Sequence, residues 1–158
     1  ILHCVGLTAG RTDGAPCTEH DAAAGAQSVD ALLPQTQERV EAVVREVRAK
    51  APDARVLVVG YPEMFPEDEP CALLPITPGD LPFARKINTG INAALQGAAK
   101  AQGVDYIDTF AATVGHNMCS DDPWIAGQQT VDGRLATPWH PYAEEQEAVA
   151  KLVVEALE

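Results

Sequence analysis

A histidine near the carboxyl end of the chain is the residue best suited to proton transfer. His140 lies in the stretch ATPWHPYAEEQ, where a proline and an acidic run follow it, as is typical of the first turn of a helix. A histidine in a loop is more often hydrogen-bonded to the backbone than catalytic. However, His140 lies at the end of a long loop that contains a cysteine and both tryptophans. A base at this point could reach a nucleophile on a neighbouring strand. We therefore interpret His140 as a candidate general base.

The other polar residues are weaker candidates for chemistry. Ser28 and Ser120 lie outside any Gly-Asp-Ser or Gly-x-Ser-x-Gly setting, in which a sharp turn would expose a nucleophilic hydroxyl. Asp121 and Asp122 directly precede a proline, and adjacent acidic residues there form a turn more often than a cation site. The chain therefore contains a base without an evident nucleophile.

The cysteines suit two disulfides. They form an even set in loop-like sequence, and no two of them have Cys-x-x-Cys spacing: Cys4, Cys17, Cys71 and Cys119. Disulfides indicate an oxidising compartment, so we expect a secreted, extracellular protein. Four free thiols in a reducing cytosol are the alternative.

A rival interpretation is a non-catalytic interaction module stapled by zinc. Two histidines and two cysteines lie close together near the start of the chain: His3, Cys4, Cys17 and His20. Adjacent His3 and Cys4 do not easily face one tetrahedral ion, which disfavours this module. Thiol titration of the denatured chain discriminates, because two disulfides leave no free thiol and a stripped zinc site leaves about four.

Size and charge exclude several classes of function. The chain has 158 residues, of which 46% are hydrophobic, and this is enough for one domain with one core. The formal net charge of -12 disfavours nucleic acid and anionic membrane surfaces as partners. The longest apolar run, VLVVGY, has the length of a strand, so we expect no stable membrane insertion. The first residues lack an initiator Met and the features of a signal peptide, and we expect the chain to begin inside a longer protein.

The elements that position His140 alternate along the chain. Four valines recur with the spacing of one face of a helix: Val40, Val43, Val44 and Val47. We predict a loop with one short helical piece over 1–34. Helices are predicted over 35–51, 80–103 and 142–157, and strands over 54–62 and 104–109. Long loops are predicted over 63–80 and 110–141. Asp80 is the predicted cap of the middle helix, and Pro82 lies in the first turn of that helix. The last helix should bury Val149, Leu152, Val153, Ala156 and Leu157.

This order of helix, strand, helix, strand and helix predicts an α/β fold in three layers, with a parallel sheet and right-handed crossovers. Two strands do not offer three helices enough surface to bury against. We therefore expect further strands of the same fold upstream of residue 1.

Three segments in this order resemble a known family. They are similar to the carboxyl-terminal two-thirds of actinobacterial secreted SGNH (GDSL-type) esterases and lipases. The first is RVLVVGYPEMFP, followed by a Cys-containing, Pro-rich loop; the second is CSDDPWIAG, and the third is ATPWHPYAEEQEAVAKLV. The resemblance implies a flavodoxin-like α/β/α domain that lacks its first strands here. In that family the nucleophilic serine and the Gly and Asn of the oxyanion hole lie in earlier blocks, which this chain does not contain.

The resemblance assigns the catalytic role to few residues. His140 matches the histidine that takes the serine proton and returns it to the leaving alcohol. Many members have Asp three residues before that histidine, but this chain has Thr137. The resemblance therefore implies a Ser-His dyad in which the Thr137 carbonyl accepts from Nδ1 of His140.

On this basis we expect the chain to form part of an enzyme that hydrolyses small ester or lipid substrates through an acyl-serine, without a metal or an organic cofactor. Its partner would be the upstream segment of the same protein. Trp124 is expected to anchor a loop, and Trp139 to border the acyl pocket. The predicted disulfides are Cys4 with Cys17 and Cys71 with Cys119.

Overall fold

The structure, a computed structural model, describes residues 2–131 and 133–158. Two short strands form a parallel sheet in which Val58 is paired with Tyr106. Helices surround this sheet, so the fold is α/β. Within the described residues the elements are α1 (Leu2–Thr8), α2 (Pro16–Ala23), α3 (Val29–Lys50), β1 (Leu57–Val59), α4 (Leu81–Gln102), β2 (Asp105–Ile107), α5 (Thr109–Ala112) and α6 (Ala143–Leu157).

The amino-terminal segment is more helical than predicted. Residues expected to form a loop with one short helical piece contain α1, α2 and the beginning of α3. The helix α3 continues through Pro34, although a proline disfavours a helix interior. Its first turn is stabilised by two acceptors, because Ala31 N–H donates to Ser28 Oγ at 3.4 Å and Val29 N–H donates to the Asp21 carboxylate at 2.9 Å.

Asp80 caps a different helix from the one predicted. Its side chain makes no cap hydrogen bond to α4. The buried carboxylate instead accepts from the main-chain N–H groups of Cys17 at 3.0 Å and Thr18 at 2.9 Å, at the amino end of α2. A local pattern could not reveal this, because the donors lie more than sixty residues away along the chain. The contact joins α2 to the segment that precedes α4.

The core consists of two clusters. One joins α3, β1 and α4 through Val44, Val58 and Ala99. The second lies beneath the long loops and contains Phe65, Leu74, Leu81, Met118 and Ile125. This second cluster supports the loops that follow both strands, and these loops carry the candidate site.

The last helix is less buried than predicted. Val149, Leu152, Val153 and Ala156 are half-buried, and Leu157 is 47% exposed, so the prediction that Leu157 is buried is wrong. The deeply buried side chains at this end are Tyr142 and Glu145. Among residues 2–131 and 133–158, none of the helices combines the length and the apolar character needed to cross a membrane.

Candidate active site

His140 is the last residue of a tight turn that begins at Thr137. Its main-chain N–H donates to the Thr137 carbonyl at 3.0 Å. Pro138 is the second residue of the turn, and Trp139 is the third, with a φ of 68°. These are the features of a type II turn, whose third position is usually glycine. A non-glycine residue is rare in this conformation, so the turn holds a strained backbone directly before His140.

The imidazole ring of His140 is held by the carbonyl of Pro138. Nδ1 of the ring lies 2.9 Å from that oxygen. The predicted partner was the Thr137 carbonyl, and this prediction is wrong, because the turn already directs that oxygen to the main-chain N–H of His140. The orienting group is thus a main-chain carbonyl two residues before the histidine instead of three.

This contact determines which ring nitrogen is basic. A carbonyl oxygen only accepts hydrogen bonds, so Nδ1 must carry the proton that it donates to Pro138. The neutral ring then has its lone pair on Nε2. His140 is exposed, and Nε2 is available to take a proton from a hydroxyl group that approaches it.

The histidine borders an open cleft of about 580 Å³. Four consecutive residues, from Thr137 to His140, form one side of the cleft. Leu2 and His3 of α1 complete the lining, and sequence analysis did not assign them to the site. Trp139 is half-buried and packs against the cluster that contains Phe65, so it connects the cleft wall to the core. The cleft therefore places apolar surface beside the basic nitrogen.

The main chain around His140 is held by the segment 124–127, which runs antiparallel to it. Ala126 N–H donates to the His140 carbonyl at 2.9 Å, and two flanking bonds join Trp139 N–H to Gly127 O at 3.1 Å and Tyr142 N–H to Trp124 O at 2.8 Å. These three bonds, which we call the His140 ladder, fix the backbone on both sides of the histidine. Sequence analysis treated this region as a loop, because each partner segment is too short to show a strand pattern.

Arg134 strengthens the same region. Its guanidinium lies 3.8 Å from the centre of the Tyr142 ring and donates to the carbonyl of Pro123 at 2.6 Å. It also pairs with the Glu144 carboxylate at 2.5 Å. The pKa of Glu144 lies below its usual value because its own main-chain N–H and then Arg134 donate to the carboxylate. The start of α6 is thereby tied to the loop that carries the ladder.

Both predicted disulfide pairings are present in the structure. Cys71 is bonded to Cys119, with 5.6 Å between the Cα atoms, and this bond joins the loop after β1 to the loop after β2. Cys4 is bonded to Cys17, with 5.3 Å between the Cα atoms, and this bond joins α1 to α2. The first bond supports the His140 side of the site, and the second holds the helix that lines the cleft.

The zinc-stapled alternative is contradicted by these bonds. The two sulfurs that it requires are joined to each other in the Cys4–Cys17 disulfide. The two histidines pack against each other instead, with 4.7 Å between the ring centres of His3 and His20.

The remaining candidates have structural contacts. Ser28 caps α3, and Ser120 donates to the Asn117 carbonyl at 2.9 Å beside a bonded cysteine. Asp122 accepts from the indole N–H of Trp124 at 3.2 Å, and the Trp124 ring stacks on His116 with 3.8 Å between ring centres. In the part of the chain that the structure describes, no three His, Cys, Asp or Glu side chains form a group that could hold a metal ion.

Three comparisons relate the chain to known proteins. Residues 9–148 match the model of the GDSL-like lipase/acylhydrolase family. The chain is 32% identical to Lipase 2 of Streptomyces coelicolor over 91% of its own length and 49% of that protein, and 29% identical to an esterase of Streptomyces scabiei over 85% and 44%. The crystal structure of phospholipase A1 from Streptomyces albidoflavus is similar, with a TM-score of 0.68 and 27% identity, over 81% of this chain and 55% of that one.

The chain thus spans about half the length of the curated relatives that it matches. The family model covers most of the chain, and the match includes the loops after both strands and His140. The α/β fold agrees with this match, because the similar solved structure is that of a phospholipase A1 with a TM-score of 0.68. The chain therefore belongs to the GDSL-like lipase/acylhydrolase family.

Proposed function

We propose that this chain supplies the general base of a serine ester hydrolase whose nucleophile lies in a segment that precedes residue 1. The observation that carries the proposal is the contact from Nδ1 of His140 to the Pro138 carbonyl, which leaves Nε2 basic at the edge of the cleft. Membership of a lipase and acylhydrolase family supports a carboxylic ester as the substrate.

In the proposed reaction, the serine Oγ attacks the carbonyl carbon of the ester while Nε2 of His140 takes the hydroxyl proton. The imidazolium returns this proton to the leaving alkoxide, so the alcohol departs and an acyl-serine remains. Nε2 then takes a proton from a water molecule as the water oxygen attacks the acyl carbon, and it returns this proton to serine Oγ as the acyl–serine bond breaks and the carboxylic acid leaves. The neutral Pro138 carbonyl stabilises the imidazolium less than a carboxylate would, but it keeps the required tautomer. No metal or organic cofactor takes part in this scheme.

The apolar cleft supports a substrate with an acyl chain. Leu2 and Trp139 both line it, and Trp139 lies directly before the base. We infer that Trp139 contacts the acyl group. The solved neighbour is a phospholipase A1, and the curated relatives are a lipase and an esterase, which supports acyl lipids and smaller acyl esters as the substrate class.

We also infer that residues 1–158 are the carboxyl-terminal part of one hydrolase domain. In the described residues β1 pairs with β2 alone. Val59, the last residue of β1, is 41% exposed, and Tyr61, two residues later, is 48% exposed. An upstream segment that adds strands to this sheet would cover them. The two disulfides support folding in an oxidising compartment, so we propose that the protein is secreted.

The experiment tests the base in the chain joined to its upstream segment. We expect His140→Ala to lower kcat for p-nitrophenyl esters by about 10³-fold or more, because the serine loses its proton acceptor. Tm should change little, since the ring makes a single hydrogen bond within the described residues. Added imidazole should restore part of the activity.

The matched control is His20→Ala, which removes an exposed imidazole that has no role in the proposed reaction. It should keep wild-type kcat. A His140→Ala variant with near-wild-type activity would refute the proposed function.

A further inference from the structure

We propose that Gly127 is a positioning residue for His140. This inference rests on the proposed function, because it concerns how the base is held. Gly127 is buried and lies at one end of the His140 ladder, where its carbonyl accepts from Trp139 N–H at 3.1 Å. Gly127 is also the point at which the ladder meets the loop after β1, through Leu73.

The contact with Leu73 leaves no space for a side chain on Gly127. A Cβ atom placed there would lie 2.5 Å from the Cβ of Leu73 and 2.9 Å from its carbonyl carbon, and it would overlap with the carbonyl oxygen. Ordinary contacts between such atoms are longer than 3.4 Å. Glycine is therefore required by a close approach of two backbones.

Leu73 cannot easily move away to accept a larger residue. Its neighbour Leu74 is 1% exposed in the core, and two residues earlier Cys71 is bonded to Cys119. The same Leu73 carbonyl accepts from Gln128 N–H at 2.7 Å, which ties the end of the ladder to it. A side chain at position 127 would therefore displace Gly127 and Gln128, at the end of the ladder, relative to the loop after β1.

The displacement would reach the base through the ladder. Trp139 N–H and the His140 carbonyl are both bonded to this segment, and the ring of His140 is oriented from the turn that contains Trp139. Proton transfer needs the base within hydrogen-bond distance of the hydroxyl, and a displacement of about 1 Å can lower a rate about 10²-fold. Gly127 would thus affect catalysis without touching the substrate.

The test compares Gly127→Ala with wild type in the chain joined to its upstream segment. We expect kcat for p-nitrophenyl esters to fall about 10- to 100-fold, because the base is displaced. KM should change less, although Trp139 of the cleft is bonded to the same segment. The proton on Nδ1 of His140 should give a low-field NMR signal in wild type, and this signal should shift or disappear in Gly127→Ala.

Two further variants make the outcome specific. Gly97→Ala is the matched control, because a Cβ there would meet the flexible end of the Gln37 side chain, and it should leave kcat and the NMR signal unchanged. Gln128→Pro is the second test and is needed if Gly127→Ala folds poorly. Gln128 is exposed, and proline there removes the N–H that donates to the Leu73 carbonyl, so kcat should fall as in Gly127→Ala.

The proposal is overturned if Gly127→Ala or Gln128→Pro is folded and keeps wild-type kcat. It is also overturned if the NMR signal of His140 is unchanged and the loss of kcat equals the loss of folded protein. Loss of activity in His140→Ala beside full activity in these variants would reject the positioning role alone. Full activity in His140→Ala would reject the proposed function itself.

Discussion

At the scale of single residues, the site depends on main-chain atoms more than on side chains. The carbonyl of Pro138 orients the ring of His140, and the carbonyl of Thr137 closes the turn. A sequence names the residues at these positions, but every residue has a carbonyl. The φ of 68° at Trp139 determines whether the carbonyl oxygen of Thr137 or that of Pro138 faces the ring. This angle is a property of the folded turn.

Glu145 provides a prediction about stability at this scale. This residue is 6% exposed in the first turn of α6, and burial raises the pKa of its carboxyl group above the usual 4.5. The folded state then binds the proton more tightly than the unfolded state does. The free energy of unfolding therefore falls as the pH rises through the interval between 4.5 and the raised pKa.

We expect Glu145→Gln to raise Tm at neutral pH, because the amide carries no charge to bury. The difference from wild type should shrink as the pH is lowered and vanish below the reference pKa of 4.5. The measurement is Tm against pH, with Glu147→Gln as the control, since Glu147 is exposed on the same helix. A lower Tm for Glu145→Gln at neutral pH would contradict the assigned cause.

At the scale of elements, long loops are ordered by cross-links rather than by regular structure. The loop after β1 and the loop after β2 are joined by the Cys71–Cys119 bond over 48 residues, and their side chains share one core cluster. The strands themselves have three residues each. The predicted strands over 54–62 and 104–109 were longer, because β-branched apolar residues continue beyond the part of each segment that is paired.

The two disulfides should contribute unequally to stability. In the chain-entropy model, a bond that closes 48 residues contributes about 4 kcal/mol, and one that closes 13 contributes about 3 kcal/mol. We therefore expect Cys71→Ser with Cys119→Ser to lower the free energy of unfolding more than Cys4→Ser with Cys17→Ser. Denaturant unfolding measures both. A larger loss from the Cys4–Cys17 pair would be evidence against a main effect through loop closure.

At the scale of the whole molecule, the sheet is small for the helices around it. Val43 and Val47 of α3 are 61% and 42% exposed, although their helical spacing is that of a buried face. Val59 at the end of β1 and Tyr61 just after it are also exposed. Such unpaired apolar surface favours association with another chain.

We therefore expect residues 1–158 alone to aggregate or to fold poorly, and the chain joined to its upstream segment to be monodisperse. Light scattering after size exclusion measures this difference, and p-nitrophenyl ester hydrolysis should appear only in the longer form. Full activity from residues 1–158 alone, with Ser28→Ala and Ser120→Ala both introduced, would contradict the position that we propose for the nucleophile.

The sequence by itself determined the parts of this protein that depend on local pattern. The apolar periodicity of α4, which is followed by Gly103, and the acidic first turn of α6 identify elements from neighbouring residues alone. The proposal that His140 acts as a base, and the expectation that the even set of cysteines is paired, also start from residue types.

Only the tertiary structure decided the contacts between residues far apart in the chain. Asp80 caps α2, Leu73 meets Gly127, and Leu2 lines the cleft beside His140. Each of these contacts forms when two loops or helices pack against each other, and the first two include a main-chain group, the N–H of Cys17 and the carbonyl of Leu73. Because backbone groups are the same at nearly every position, the sequence carries no local signal for them, and the fold alone determines which ones meet.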